Sequence, residues 1–304
     1  MSSHPSFLAI GECMMELAEA DGAYERAFAG DTYNCAVYVK RARPDTTVQM
    51  FSAVGDDPIS KAMLEQWAAN GVGQELTVVS PTAHPGIYAI STDDHGERTF
   101  TYWRDRSAAR EMMQRITPDI TARIEQSDWI YFSGITLAIL TVADRNRLFQ
   151  LLAAARANGA KLAFDPNYRP ALWPDRASAV EWVTRAYQLV DVALPGLADH
   201  QALFDQQDQS AVLQFVQSQG PMEIVIKAEA DGVTAYVGRE DRFHQAVSLV
   251  PPVDTTGAGD AFAGTYLAER LWGARADQAL AKATQTAGIV VQHRGAIVDE
   301  QAPT

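Results

Sequence analysis

From Ser127 onward the chain alternates short apolar runs with longer amphipathic ones, and this alternation restricts the fold more than any other feature. Trp129–Ser133, Lys161–Asp165, 191–194, Glu223–Lys227 and 232–237 read as strands. Helical segments fall at 143–157, ended by Asn158-Gly159, around Leu197–Phe204 and 211–217, near Ala258–Leu271 and at 277–292. Strands that alternate with helices argue for a largely parallel sheet covered on both faces. The first half fits the same scheme. Residues 7–17 read as one strand and 48–54 as another. Residues 31–41 read as a helix capped by Asp31 or Thr32, with Pro44 just beyond its end. Pro58–Ala69 is helical, with Ile59, Met63, Leu64 and Trp67 on one face and Gly71 as the stop.

One stretch departs from this scheme. Residues 86–91 and Arg98–Trp103 flank Asp93-Asp94-His95-Gly96 and predict a β-hairpin. The chain shows no repeat, low-complexity tract or long linker. It therefore reads as a single α/β domain over 1–304, with a small β-rich insertion from about 12–30 and 85–105.

Composition narrows the partners. The formal net charge is −13, which repels a nucleic-acid backbone. An acidic chain can still take an anionic metabolite, but it then needs local Arg, Lys or backbone N–H donors. Two cysteines, Cys13 and Cys35, and six scattered histidines offer no structural metal set, and none is assigned. The first residues lack a basic then apolar leader, and no apolar run nears the ~20 residues of a membrane span. With so few cysteines, a cytoplasmic enzyme is the expectation.

Asp254-Thr255-Thr256-Gly257-Ala258-Gly259-Asp260 enters a helix. Its glycines let the backbone approach a ligand, and free first-turn N–H groups with the helix dipole form an anion site. A carboxylate beside such a site is costly unless it has a task. The natural task for Asp260 is to accept a proton from an attacking hydroxyl, while the N–H groups of Gly257, Ala258 and Gly259 stabilise a transferring phosphoryl group. Without further context, a glycine turn with a helix-end Asp would be the better explanation of a bare G-x-G-D. Two other phosphate loops are absent: there is no Gly-Lys pair, and Phe262 stands where a dinucleotide fingerprint needs its third Gly.

The run Asp254-Thr255-Thr256-Gly257-Ala258-Gly259-Asp260-Ala261-Phe262 resembles the C-terminal signature of the ribokinase-like (PfkB) carbohydrate kinases. Phe28-Ala29-Gly30-Asp31-Thr32-Tyr33-Asn34-Cys35-Ala36 resembles that family's N-terminal motif. The resemblance implies a three-layer α/β/α sandwich with a mostly parallel central sheet and a small β-sheet lid. It also implies ATP and Mg²⁺ as cosubstrate and cofactor. A narrower resemblance is to the kinases of 2-keto-3-deoxygluconate. It is carried by the segments starting at Ile10, Gly30, Gly96, Phe132 and Asp165 and by His293-Arg294-Gly295-Ala296-Ile297.

That resemblance implies roles residue by residue. Gly30, Asp31 and Asn34 would meet substrate hydroxyls, with Tyr88, Tyr102 and Trp103 lining the pocket from the hairpin. Arg104 and Arg169 would supply the fixed positive charge a sugar acid needs, since Arg binds carboxylate bidentately. Arg106 is read as solvated. Asn167 and Arg169 would face the nucleotide phosphates, and Lys227 to Gly232 would border the nucleotide. The family's acidic N-x-x-E motif is replaced by Pro195-Gly196-Leu197-Ala198-Asp199, which leaves direct Mg²⁺ ligands unassigned. A monovalent cation such as K⁺ beside Asp254 and Thr256 stays open. Asp260 is expected to titrate as an ordinary Asp, near ~4.

Three rivals stand beside this reading: a kinase of a neutral sugar such as fructose or ribose, a sugar-acid sensor on the same fold, and a nicotinamide-dependent oxidoreductase. The hairpin aromatics and the family resemblance together suggest a homodimer through the lid.

Overall fold

The computed structural model describes residues 4–20, 23–92, 98–238, 240–247 and 251–298. Eight strands form the main sheet. From one edge they run β14 (Asp241–Gln245), β13 (Val233–Val237), β12 (Glu223–Lys227), β11 (Val192–Ala193), β10 (Lys161–Asp165), β9 (Trp129–Ser133), β1 (Ser6–Ile10) and β4 (Thr47–Phe51). From β12 to β4 every pairing is parallel; β13 and β14 close the edge antiparallel. The expected mostly parallel sheet is therefore present.

Alternate residues of β1 show why both faces are covered. Leu8 and Ile10 enter one core with Leu148, Trp182 and Val216, while Phe7 and Ala9 enter the other with Val37, Phe262 and Leu280. Side chains alternate across a strand, so the two sets face opposite helix layers. The helices Val142–Ala157, Arg176–Leu189 and Gln209–Gln219 make one layer, and Asp31–Ala42, Pro58–Ala69, Ala258–Leu271 and Ala276–Val290 the other.

A second sheet of four strands stands apart, in the order β3 (Ala23–Ala29), β2 (Met14–Ala20), β7 (Ile87–Thr92) and β8 (Arg98–Trp103). This is the inserted lid. The hairpin β7–β8 pairs antiparallel as expected, though its turn at 93–96 lies outside the described residues. Two further short strands, β5 (Ala53–Gly55) and β6 (Val78–Ser80), pair parallel.

The structure corrects three local expectations. Residues 7–17 are two strands, because the chain leaves the main sheet at Gly11. A side chain there would collide with Thr32, and the Gly11 N–H bonds the Phe51 carbonyl at 3.2 Å. Residues 48–54 likewise divide between β4 and β5. Neither Asp31 nor Thr32 caps the first helix. Gly30 holds the cap position and both polar residues lie inside the first turn, which leaves Asp31 free to bond elsewhere.

Candidate active site

Parallel strands deliver their C-terminal ends to one edge of the sheet, where α/β folds gather ligands. Asp165 ends β10 and Lys227 ends β12. Asp199 lies in the first turn of the helix Leu197–Phe204, which follows β11. Two more helix starts converge here, Asp31 with Asn34 and Gly257 with Asp260.

Asn34 Nδ2 donates to Asp260 Oδ2 at 2.8 Å. Asn167 Nδ2 donates to Asp31 Oδ2 at 2.8 Å, and the Thr32 N–H donates to the other Asp31 oxygen at 2.8 Å. Each carboxylate thus receives an amide. Asn167 reaches Asp31 from a left-handed backbone, φ 33°, uncommon for a residue with a side chain. Its N–H donates to Asp165 Oδ1 at 3.1 Å. The loop is further shaped by Gly134, where a Cβ would strike the Pro166 carbonyl. Lys227 Nζ forms an ion pair with Asp165 and is mostly buried, so it is not a solvated strand end.

The electrostatics depart from an ordinary Asp. Asp260 keeps some exposure to the cleft, but its carboxylate is packed round by protein. Burial and the nearby charge of Asp31 push it well above the usual carboxylate range, against the pull of the Asn34 hydrogen bond. Burial and the Asp165 charge lift Asp199 to about 6, opposed by Lys227 and Arg169. Burial works against the Lys227 charge, yet Asp165 raises its pKa overall. A cluster of carboxylates here is costly without cations, and Lys227 is the cation already inside it.

The glycine turn is built as an anion cradle. Gly257 sits at φ 75°, and a side chain there would lie 2.7 Å from Ala296. Asp254 holds the turn, accepting from the Thr256 N–H at 2.9 Å and the Gly295 N–H at 2.7 Å. A Cβ on Gly259 would meet nothing within 4 Å, so its face is open. Ala258 differs from expectation: its N–H turns back to the Thr255 carbonyl at 3.3 Å. Among the described residues, the N–H groups of Gly257 and Gly259 bond to no chain atom, so both are donors open to a ligand.

The lid supplies a mixed face. The register sets Glu16, Tyr88 and Tyr102 in one row across β2, β7 and β8. Tyr88 donates to Glu16, and its ring lies 5.7 Å from that of Tyr102. Met14, Tyr88 and Ile90 cluster with Ala296, the residue packed against Gly257, so this face looks toward the site. Trp103 pairs with Ile87, one position along, so the pleat turns it to the opposite face. It does not line the pocket with Tyr88 and Tyr102. Arg104 is buried and ion-paired with Glu12, whereas Arg169 is exposed and donates only to the neighbouring Tyr168 carbonyl among the described residues, at 3.0 Å. Arg106 is exposed, as expected. Gly232, at φ 80°, makes the turn after β12, where a side chain would strike the Gln245 carbonyl.

Sequence reasoning gave no site role to Asp165, Glu12 or Glu16, although all three lie in segments that carry the resemblance. A charged residue closing a buried apolar strand was the available signal for Asp165. The glutamates lie in an apolar stretch where spacing alone does not mark them, and the segment starting at Ile10 was the available signal.

The pfkB family carbohydrate kinase profile matches residues 5–303. This chain belongs to the pfkB family of carbohydrate kinases. It is 40% identical over 299 residues to the 2-dehydro-3-deoxygluconokinase of Dickeya dadantii, covering 96% of each chain. It is 38% identical to the enzyme of that name from Escherichia coli K12, covering 96% of this chain and 97% of the relative. Among solved structures, a putative ribokinase II from E. coli in complex with ATP and Mg²⁺ superposes with a TM-score of 0.84 at 23% identity, over 96% of this chain and 94% of that one. The three-layer fold with its lid is therefore that of the family. Among the described residues no helix is long and apolar enough to cross a membrane.

Proposed function

We propose that this chain phosphorylates the C6 hydroxyl of 2-keto-3-deoxygluconate with ATP, giving 2-keto-3-deoxy-6-phosphogluconate. One observation carries the reading: Asp260, fixed by Asn34, shares a helix start with the open N–H groups of Gly257 and Gly259. Asp260 orients the hydroxyl and takes its proton as the oxygen bonds to the γ-phosphorus. ADP leaves with the bridging oxygen's electron pair. The two N–H groups hold the charge of the transferring group. Its raised pKa suits Asp260 to this task better than an ordinary Asp would be, because a base is most effective near the working pH.

The choice of sugar rests on the full-length relatives and on Arg169, whose guanidinium has no carboxylate partner among the described residues. In this reading Gly30, Asp31, Asn34, Tyr88, Tyr102 and Arg104 bound the sugar, and Asn167, Lys227 and Gly232 border the nucleotide.

Among the described residues, no three carboxylate, imidazole or thiolate groups are gathered to bind a metal directly. In this reading the magnesium ion comes in with the nucleotide. Asp199, whose carboxylate accepts the Tyr168 N–H at 3.2 Å, would meet it through water. Such an ion supplies charge neutralisation on the phosphates.

A panel of sugar acids and neutral sugars in an ADP-coupled assay tests the reading, with Asp260→Asn as control. Turnover on the sugar acid, lost by at least about a hundredfold in the variant, is expected. Preference for fructose or ribose overturns the substrate. Near-normal turnover by Asp260→Asn overturns the base. Titration with K⁺ checks whether turnover needs a monovalent cation beside Asp254 and Thr256, the question the sequence leaves open. The outer lid face, where Tyr24 and Trp103 are 57% and 58% exposed, is the surface a second copy would cover, and sedimentation checks the dimer.

A further inference from the structure

The chain crosses between body and lid four times, and the crossings meet at one residue, Glu12. Glu12 lies in the first crossing, between β1 and β2. Gly30 makes the second, between β3 and the first helix, and a Cβ on it would strike the Glu12 carbonyl oxygen. Gly86 makes the third, on the way into β7. A Cβ there would lie 2.9 Å from Glu12 Oε1 and 3.1 Å from Arg104 Cβ. Arg104 makes the fourth, directly after β8, and its Nη2 is ion-paired with Glu12 Oε2. The Gly86 carbonyl also accepts the Met15 N–H at 2.8 Å, tying the first and third crossings.

This knot is dry. Glu12 is 2% exposed and Arg104 7%. Glu12 Oε1 and Arg104 Nε are buried with no hydrogen-bond partner among the described residues. A buried ion pair with unmet valences gains little stability over an apolar packing of the same shape. Its geometry serves better as a register device. Arg104 follows β8 two positions after Tyr102, and its guanidinium lies 5.9 Å from the centre of the Tyr102 ring, which in turn packs 5.7 Å from Tyr88. Where Glu12 holds the guanidinium, it also holds the face these rings form.

We propose that Glu12 is a positioning residue for the sugar site. It fixes Arg104 at the lid hinge and so places the Tyr88–Tyr102–Arg104 face over Asp260. The proposal rests on the reading that this lid face binds the sugar. It assigns Glu12 no contact with sugar or nucleotide.

Kinetics of Glu12→Gln, Glu12→Asp, Arg104→Gln and the double variant Glu12→Gln/Arg104→Gln test it, with unfolding temperatures measured alongside. Wild-type enzyme is assayed first on the sugar acid. If a neutral sugar is the better substrate, the substrate reading fails, and the series runs on that sugar with its meaning intact. Each single variant is expected to raise the sugar KM about tenfold or more, since small misplacements of positioning groups are costly. ATP KM should stay within about twofold. The double variant should be no worse than the worse single variant, because residues acting as a unit are non-additive. Glu12→Asp keeps the charge and so the fold, but shortens the reach by one methylene. It should raise the sugar KM at a near-native unfolding temperature, which keeps the test alive if Glu12→Gln does not fold. An unchanged sugar KM in Glu12→Asp, an ATP KM that rises in step, or effects that multiply in the double variant would overturn the proposal.

Discussion

Asn34 gives its side-chain N–H to Asp260 across 226 residues of sequence, at 2.8 Å. The bond joins the family's two glycine-bearing helix starts into one device. It stabilises the charged form of a carboxylate that burial and Asp31 both drive toward its neutral form. The basicity of Asp260 is therefore a balance of named neighbours, and each can be removed separately.

Asn34→Ala removes the one contribution that favours ionisation through a hydrogen bond. The Asp260 pKa then rises further. Since the base acts when deprotonated, the acid limb of the kcat profile should move to higher pH. A hydrogen bond to a charged group is worth about 1.5–3 kcal/mol, so turnover at pH 6 should fall by about tenfold or more. The loss should shrink above the limb. A uniform loss at every pH would mean that Asn34 acts on the sugar alone.

Asp31→Asn should act in the opposite sense. It removes a negative charge that raises the Asp260 pKa, so the acid limb should move to lower pH. The replacement retains one oxygen for the Asn167 amide or the Thr32 N–H, the two bonds Asp31 now accepts. Sugar KM should rise where Asp31 meets hydroxyls, but the direction of the limb is the discriminating readout.

Much of this was legible in the sequence, and the failures have physical reasons. β9, β10 and β12 fall where apolar runs place them, because strands buried on both faces carry an unbroken apolar signal. The lid root misled: residues 7–17 read as one strand because nothing in periodicity marks Gly11 as the point where the chain changes sheets. Trp103 was grouped with Tyr102 by adjacency, though strand period alone turns neighbours to opposite faces. The raised pKa of Asp260 was out of reach, since it depends on Asp31 approaching from far along the chain. The same holds for Glu12 with Arg104 and Asp165 with Lys227, pairs that only the folded chain brings together.

Lys227→Met should cost stability and shift chemistry together. It leaves Asp165 buried without its cation, and breaking a buried ion pair costs about 3 kcal/mol or more. Lys227 also lowers the pKa of Asp199 and of Asp260, so both should rise on its removal. Urea unfolding at pH 8 should show the loss, and the acid limb of turnover should move to higher pH. Nucleotide affinity should fall only if the side chain leaves Asp165 to border the nucleotide.

Asp199→Asn should separate stability from activity. Burial and the Asp165 charge hold the folded-state pKa of Asp199 at about 6, above the ordinary Asp value of 3.8. The folded protein therefore holds the proton more tightly than the unfolded chain does. Below about pH 4 both states are protonated and the shift costs nothing. As pH rises toward 6 the unfolded chain ionises first, and the native state loses stability relative to it. Above 6 both are ionised and the full penalty stands. An asparagine keeps an oxygen for the Tyr168 N–H and carries no charge at any pH. The variant should thus unfold at higher temperature than wild type at pH 8 and at nearly the same temperature at pH 4. If Asp199 meets nucleotide-borne magnesium through water, the same variant should lose turnover and need more Mg²⁺ for half-maximal rate. A gain in stability with no loss of turnover would leave the carboxylate without a function and remove it from the site.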